Sequence, residues 1–481
     1  MSISFVGFVF LLVTFIIITG HKPLVNMLVF STITDLFFEA GYFIKTGENN
    51  YVFFFDYTQK VFFVYCLFYY LRDRFNIPWS YVLLNICFII PIVLLWAFPS
   101  DSLVADGVNG IWDDIINGEI QAEYPSITAN VSRYTLRFIL ASFIAVVVFM
   151  NFTCDDYKDY LKKLSNAINV FLLLGVFEFV VKAFLGLGEL WGFSMESLFG
   201  YTESTYIYEN RERGSGVELA LFTREASHYV FTLLLCLIIN LAVNVWKGKK
   251  DGIDIYTIIC VMLILLSTSF SSILYLISFI MMYLLYRWTI FCPPTMKKEI
   301  VMLIFIGLLG SSLLLTILFA NSDGFVTERL LNLFQNFDEY FNIDAEWSGV
   351  LGDFSAFARI YSVIMTIIAF FSRPLFGLSL GAAYCHGATA MLLCGIGIVG
   401  VFFFVRFFFF GVPYLKIFKV KRYPYLIAIF IYFLLNLFNS KELSPFCYSS
   451  IIAIVICFCV IYSHTIEPLS AEEAVLTEDN L

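Results

Sequence analysis

The stretch that decides the fold runs from Ala358 to Phe404: ARIYSVIMTIIAFFSRPLFGLSLGAAYCHGATAMLLCGIGIVGVFFF. Its last part, from Ala388, is an apolar run long enough to cross a hydrocarbon core of roughly 30 Å as a helix. Its first part is amphipathic and carries Arg359 and Arg373. Two guanidinium groups are costly in hydrocarbon, so this segment is expected to lie on a membrane surface or to line a wet cavity. Between the two parts come Gly377, Gly381 and a lone His386. Two fixed cations and an imidazole therefore fall where one apolar span meets water. That boundary is the first candidate site.

Working outward, the same pattern fills the chain. Of its 481 residues 60% are hydrophobic and 14% charged, with positive mean hydropathy. Apolar runs of about 20 residues recur along it. They read as spans 3–19, 24–44, 52–71, 78–98, 132–152, 166–185, 225–246, 253–267, 271–286, 300–320, 388–410, 424–439 and 446–463. The expectation is an all-α, polytopic integral membrane protein with about thirteen transmembrane helices in a single membrane domain over 1–481. No polar stretch of domain length occurs, so any chemistry happens in or beside the bilayer. The first span lacks a basic flank and a small-residue cleavage site, and reads as a retained helix.

Several function classes fall away. Net charge is −9, and no basic groove with interleaved aromatics is visible, which argues against a nucleic-acid partner. The cysteines are odd in number and sit mostly in apolar spans, so no structural disulfide is expected. His21, His228, His386 and His464 are scattered, and no Cys/His spacing suits a metal. No nucleophile elbow accompanies Ser227, and no phosphate-cradling loop for a nucleotide appears.

Lys and Arg set the orientation. If the spans alternate, Lys22, Arg72, Arg74, Lys158, Lys162, Lys163, Lys247, Lys249, Lys250, Arg287, Lys297, Lys298, Lys416, Lys419, Lys421 and Arg422 share one side, the cytoplasm. The acidic tail 464–481 then also lies there, disordered. The opposite side carries larger loops at 100–131, 186–223 and 321–387, the last holding the amphipathic segment. Its cations are mostly Arg: Arg133, Arg137, Arg211, Arg213, Arg224, Arg329, Arg359 and Arg373. Lys serves topology as a solvated point charge, whereas Arg grips phosphate and carboxylate with a planar fork. Either these Arg hold an anionic lipid-linked ligand, or they pair with outer acids such as Asp113, Glu123, Asp338 and Glu346.

Within spans, Asp56 and Lys60 stand four apart, as do Glu178 and Lys182, and each pair can neutralise itself along one helix face. Asp35 and Glu39 share a face of the second span; either they pair with Arg133 and Arg137 of the fifth, or one carboxylate stays free as a general base while the Arg set holds a phosphate. The stretch RERGSGVELALFTREASHYV places Arg211, Arg213, Arg224, Glu225 and His228 at the entry of the seventh span. Glu225 and His228, three apart, can meet on one face.

These residues resemble the Wzy-type O-antigen polymerase and O-antigen ligase superfamily of lipid-linked glycan transferases. The resemblance rests on Arg213 with Glu225-Ala226-Ser227-His228, the hairpin LLSTSFSSILYL, Arg359, PLFGLSLG and CHGATAMLLCGIGIVG. It covers roughly Arg211 to Gly411. Ala226 stands where the family usually has Pro, and the spacing from Arg213 to Glu225 is longer than the family's. The resemblance implies a GT-C-like fold and a glycosyltransferase working at the periplasmic face of the bacterial inner membrane. Its substrates would be undecaprenyl-pyrophosphate-linked glycans, one donor and one acceptor, with a chain-length regulator as a further partner and neither metal nor cofactor. Arg213 or Arg224, Arg359 and Arg373 would hold pyrophosphate with His228 nearby, and His386 or Glu225 would take the acceptor proton. A ligase passing glycan to lipid A core and a transporter of lipid-linked glycan are the alternatives.

Overall fold

In hydrocarbon every backbone N–H and C=O needs a partner within the chain, so apolar runs of this length become helices. The computed structural model describes residues 2–38, 42–45, 51–100, 102, 104–105, 122–199, 219–221, 223, 226–249, 251–267, 271–291, 354–383, 385–410, 417–437 and 448–463. These are mostly helical. The helices are α1 (Phe5–Thr19), α2 (Pro23–Phe37), α3 (Phe54–Asp73), α4 (Trp79–Ala97), α5 (Ala129–Asn151), α6 (Cys154–Phe179), α7 (Gly188–Phe199) and α8 (Ala226–Trp246). There follow α9 (Ile255–Leu266), α10 (Ser271–Phe291), α11 (Phe354–Ser372), α12 (Ala388–Phe408), α13 (Arg422–Leu435) and α14 (Tyr448–Ile461).

Among the described residues five helices are long and apolar enough to cross a membrane: Trp79–Ala97, Val131–Asn151, Cys154–Phe184, His228–Trp246 and Ala388–Phe408. Shorter apolar helices include α1, α2, α9, α13 and most of α14. The expected span 300–320, residues 321–353 of the loop 321–387 and the tail 464–481 lie outside the described residues.

Two boundaries differ from expectation, each for a local reason. The second span ends early: α2 stops at Phe37, and Tyr42–Lys45 is a strand (β2). β2 pairs antiparallel with β1 (Ser2–Ile3) and β3 (Tyr51–Phe53), with Ile3 opposite Ile44 and Ile44 opposite Val52. Glu39, expected to share a helix face with Asp35, lies outside the described residues. The sixth span starts early, at Cys154, because Thr153 and Asp156 form a reciprocal capping box there. Its first turns carry Lys158, Lys162 and Lys163, polarity that reads as loop in a hydropathy scan.

The core is built round α8, whose apolar stretch is wholly buried. It packs against α14, α9, α10 and α6. Two of the polar groups in this core bond across elements: Thr232 Oγ1 donates to the Leu36 carbonyl at 2.9 Å, and Asn244 Nδ2 to that of Gly252 at 3.1 Å.

Contacts sort the loops into two ends. At one end Lys22 bridges Asp156 and Asp159 at 3.2 and 3.7 Å, Lys163 reaches Asp159 at 2.9 Å, and Arg287 meets Asp251 at 2.6 Å. Lys421 bonds from its backbone to Tyr462 at that same end. Ion pairs this exposed contribute little, about 0–1 kcal/mol each. The β1-β2-β3 sheet, a small pairing of β4 (Val104–Ala105) with β5 (Ala122–Glu123), and the 373–387 segment lie at the other end.

Candidate functional site

The candidate site begins with a broken helix. Within α12, Gly397 adopts φ 64 and ψ −177, a conformation that L side chains avoid. The break leaves helical N–H and C=O groups without their usual partners, and the segment after α11 supplies them. Ile398 N–H donates to Pro374 O at 2.9 Å and Val399 N–H to Leu375 O at 3.2 Å. In return Cys394 O accepts from Leu378 N–H at 2.7 Å and Gly395 O from Ser379 N–H at 2.9 Å. The contact is backbone on backbone. A Cβ at Gly397 would lie 2.4 Å from the Leu375 carbonyl, and one at Gly377 would lie 2.5 Å from Cys394 O. PLFGLS and CGIG are two halves of one joint. Ser379 completes it under strain, at φ 91, with its buried hydroxyl unpartnered.

This joint fixes the course of α11. Ser362 Oγ accepts from the backbone N–H of His386 at 3.1 Å, and twelve residues later Pro374 meets Ile398. Helix α11 and the first half of α12 therefore run side by side in the same direction. The chain then returns through 377–387. Helix α11 packs on α12, and Ser362, Val363, Met365, Thr366 and Ala369 are buried. Arg359 sits one turn before Ser362, at the His386 end. Arg373 sits fourteen residues further on, about 21 Å along at 1.5 Å per residue. Helical rise thus separates the two cations that the sequence gathers at one boundary: His386 goes with Arg359, and Arg373 goes with the joint.

Arg373 has an unusual environment. Its Nη2 donates to the carbonyl of Phe98, the residue that caps α4. Its Nη1 is buried without a hydrogen-bond partner, and among the described residues no carboxylate lies within ion-pair reach. An unmade hydrogen bond on a buried donor costs about 1–3 kcal/mol, more when charged. Near the other end of the return, the Cys385 thiol contacts the Gly387 N–H at 3.2 Å. Burial pushes this thiol up to about 11.

The entry to α8 is anchored by Glu178, fully buried on α6. Lys182 meets its carboxylate at 2.8 Å, the helical pairing that the i,i+4 spacing predicts. The same carboxylate accepts from Leu221 N–H at 2.8 Å and Ala220 N–H at 3.4 Å. Leu221 is held left-handed at φ 46, and Thr223 Oγ1 closes the turn on Ala220 O at 2.7 Å. A π-helical turn, Val180–Phe184, follows Glu178 and carries Lys182. The anchored turn at 220–223 precedes His228, in the first turn of α8. Arg213, Arg224 and Glu225 lie outside the described residues. Sequence spacing gives the ion pair but misses the anchored turn, whose N–H groups lie more than forty residues away.

The remaining charges pair differently from expectation. Asp56 does not neutralise Lys60, and Asp35 is not the partner of Arg133 and Arg137. Instead Arg137 Nε and Nη2 both reach Asp56 Oδ1, at 3.0 and 2.7 Å, and Arg133 approaches Oδ2 at 3.7 Å. The Arg137 guanidinium also lies 4.7 Å from the centre of the Phe55 ring. A two-donor contact from a planar fork outcompetes the flexible ammonium of Lys60. Among the described residues no three His, Cys, Asp or Glu side chains gather as a metal set would. Comparison with family models, characterised proteins and solved structures finds no match to this chain.

Proposed function

We propose that this chain polymerises undecaprenyl-pyrophosphate-linked oligosaccharide repeat units of O-antigen or a related surface polysaccharide. It would be a membrane glycosyltransferase of about thirteen spans and GT-C-like architecture, working at the periplasmic face of the bacterial inner membrane. The observation that carries the reading is Arg373, a guanidinium with a buried unpartnered donor and, among the described residues, no carboxylate within ion-pair reach. Arg137, by contrast, is committed to Asp56. A cation held this way favours an anion with several acceptor oxygens, and pyrophosphate is one.

In the reaction the anomeric C–O bond to the donor pyrophosphate breaks. An acceptor hydroxyl forms the new C–O bond and its proton passes to a base, His386 or Glu225. The leaving group departs as polyprenyl pyrophosphate, and Arg side chains stabilise the charge it gains. Both substrates carry a pyrophosphate, and the helical separation of Arg359 and Arg373 gives each cation its own. Arg213, Arg224 and His228 would complete the binding set from the α8 entry.

Two other readings have support of their own. A ligase transferring glycan to lipid A core would use the same cations and differ in its acceptor. The break at Gly397 is a feature of transporters, whose discontinuous helices expose backbone to substrate. Here four backbone hydrogen bonds to 374–379 cap the two sides of the break, which leaves less backbone to coordinate cargo.

The test is Arg373→Lys and Arg373→Ala in a strain lacking this gene, with lipopolysaccharide resolved on a silver-stained gel. At normal membrane levels both variants should lose the ladder and keep the single-repeat band. Loss of that band as well would favour the ligase or export, and an unchanged ladder would remove Arg373 from the site.

A further inference from the structure

Lys60 stands one turn after Asp56 on α3, yet the carboxylate is taken by α5. Among the described residues Lys60 has no ion pair, and its side chain is exposed. Arg137 is tucked against Asp56, whereas Arg133 is half exposed and touches Oδ2 at only 3.7 Å. Asp56 therefore lies beside two guanidinium groups and one turn from Lys60, and among the described residues no second carboxylate pairs with these three cations, of which Lys60 and Arg133 are the exposed ones.

Beyond Lys60, away from the α3 start, the same helix face is apolar and exposed. Val64, Leu67, Phe68 and Leu71 follow at four, seven, eight and eleven residues, the spacing of a single stripe. It extends about 16 Å below the charge. On α5, Leu136 lies one turn from Arg133 and is also exposed. A cationic head over an apolar track is complementary to a molecule with an anionic head and an acyl tail.

We propose that Lys60 and Arg133 bind the phosphate of an anionic membrane phospholipid whose acyl chain lies along Val64, Phe68 and Leu71. Lys60 contributes a mobile point charge and Arg133 a planar donor pair. A zwitterionic phospholipid carries its own ammonium beside the phosphate, which cancels much of the attraction. A free phosphate would make no use of the apolar stripe. The site is independent of the glycosyltransferase reading.

The full chain, purified in detergent with either phosphatidylglycerol or phosphatidylethanolamine, would be examined by native mass spectrometry. Bound phosphatidylglycerol should exceed bound phosphatidylethanolamine and should resist excess inorganic phosphate. Lys60→Gln with Arg133→Gln should lower its retention roughly five-fold per charge removed. Lys60→Arg with Arg133→Lys, which keeps both charges, should retain it and so separates charge loss from misfolding. Equal retention of the two lipids, retention undiminished in the Gln pair, or displacement by inorganic phosphate would each overturn the proposal.

Discussion

Gly397 shows how one residue decides the local fold. Its φ of 64 disfavours ordinary side chains, and a Cβ there would meet the Leu375 carbonyl at 2.4 Å. Gly397→Ala should therefore cost about 3 kcal/mol or more, combining backbone strain with the clash. Gly186 has the same φ of 64 but nothing near its missing Cβ. Gly186→Ala should cost only about 1 kcal/mol, the backbone term alone. Thermal unfolding of both variants in detergent checks the difference, and equal shifts would mean that the joint carries no packing strain. Asp56 gives a second residue-scale test. Removing one partner of a buried pair costs about 3–5 kcal/mol, so Asp56→Asn should destabilise by that order. Lys60→Gln, which touches no ion pair, should stay within about 0.5 kcal/mol. The reverse ranking would restore Lys60 as the partner of Asp56.

At the scale of elements, the apolar runs were legible because hydrocarbon-length hydropathy needs no knowledge of neighbours. The helices 79–97, 131–151, 228–246 and 388–408 fall where the sequence puts spans. The Glu178–Lys182 pair was legible too, since four residues along a helix is a local relation. What sequence missed was non-local. Asp56 finds Arg137 across 81 residues, and no spacing rule reaches that far. The break in α12 was hidden because glycines inside an apolar run are tolerated in a helix, and only the approach of 374–379 turns Gly397 into a hinge point. The signal was present as two glycine motifs, at 377 and 395–397, flanking one hairpin. Along α11 and its end, Arg359 and Arg373 are fourteen residues apart, about 21 Å at helical rise.

Across the whole molecule, the contacts place the Lys-bearing turns at one end and the joint at the other. Cys154 is exposed at the Lys end, whereas Cys385 is buried in the 377–387 return and its thiol is pushed up to about 11. At pH 8 such a thiol is thiolate in roughly one molecule per thousand, too little for appreciable alkylation. With the Lys end in the cytoplasm, a membrane-impermeant maleimide should spare Cys154 in intact spheroplasts and label it after permeabilisation. Cys385 should stay unlabelled in both until the protein is denatured. Labelling of Cys154 in intact spheroplasts would invert the orientation and move the joint away from the lipid-linked substrate.

The most direct test of the account is the reaction itself, run with the purified chain and a single undecaprenyl-pyrophosphate-linked repeat unit, with products read by mass spectrometry. The account predicts lipid-linked dimers and longer oligomers together with released undecaprenyl pyrophosphate, and loss of all of them in Arg373→Ala. Unchanged starting material from a folded protein, supplied with each candidate repeat unit, would contradict it.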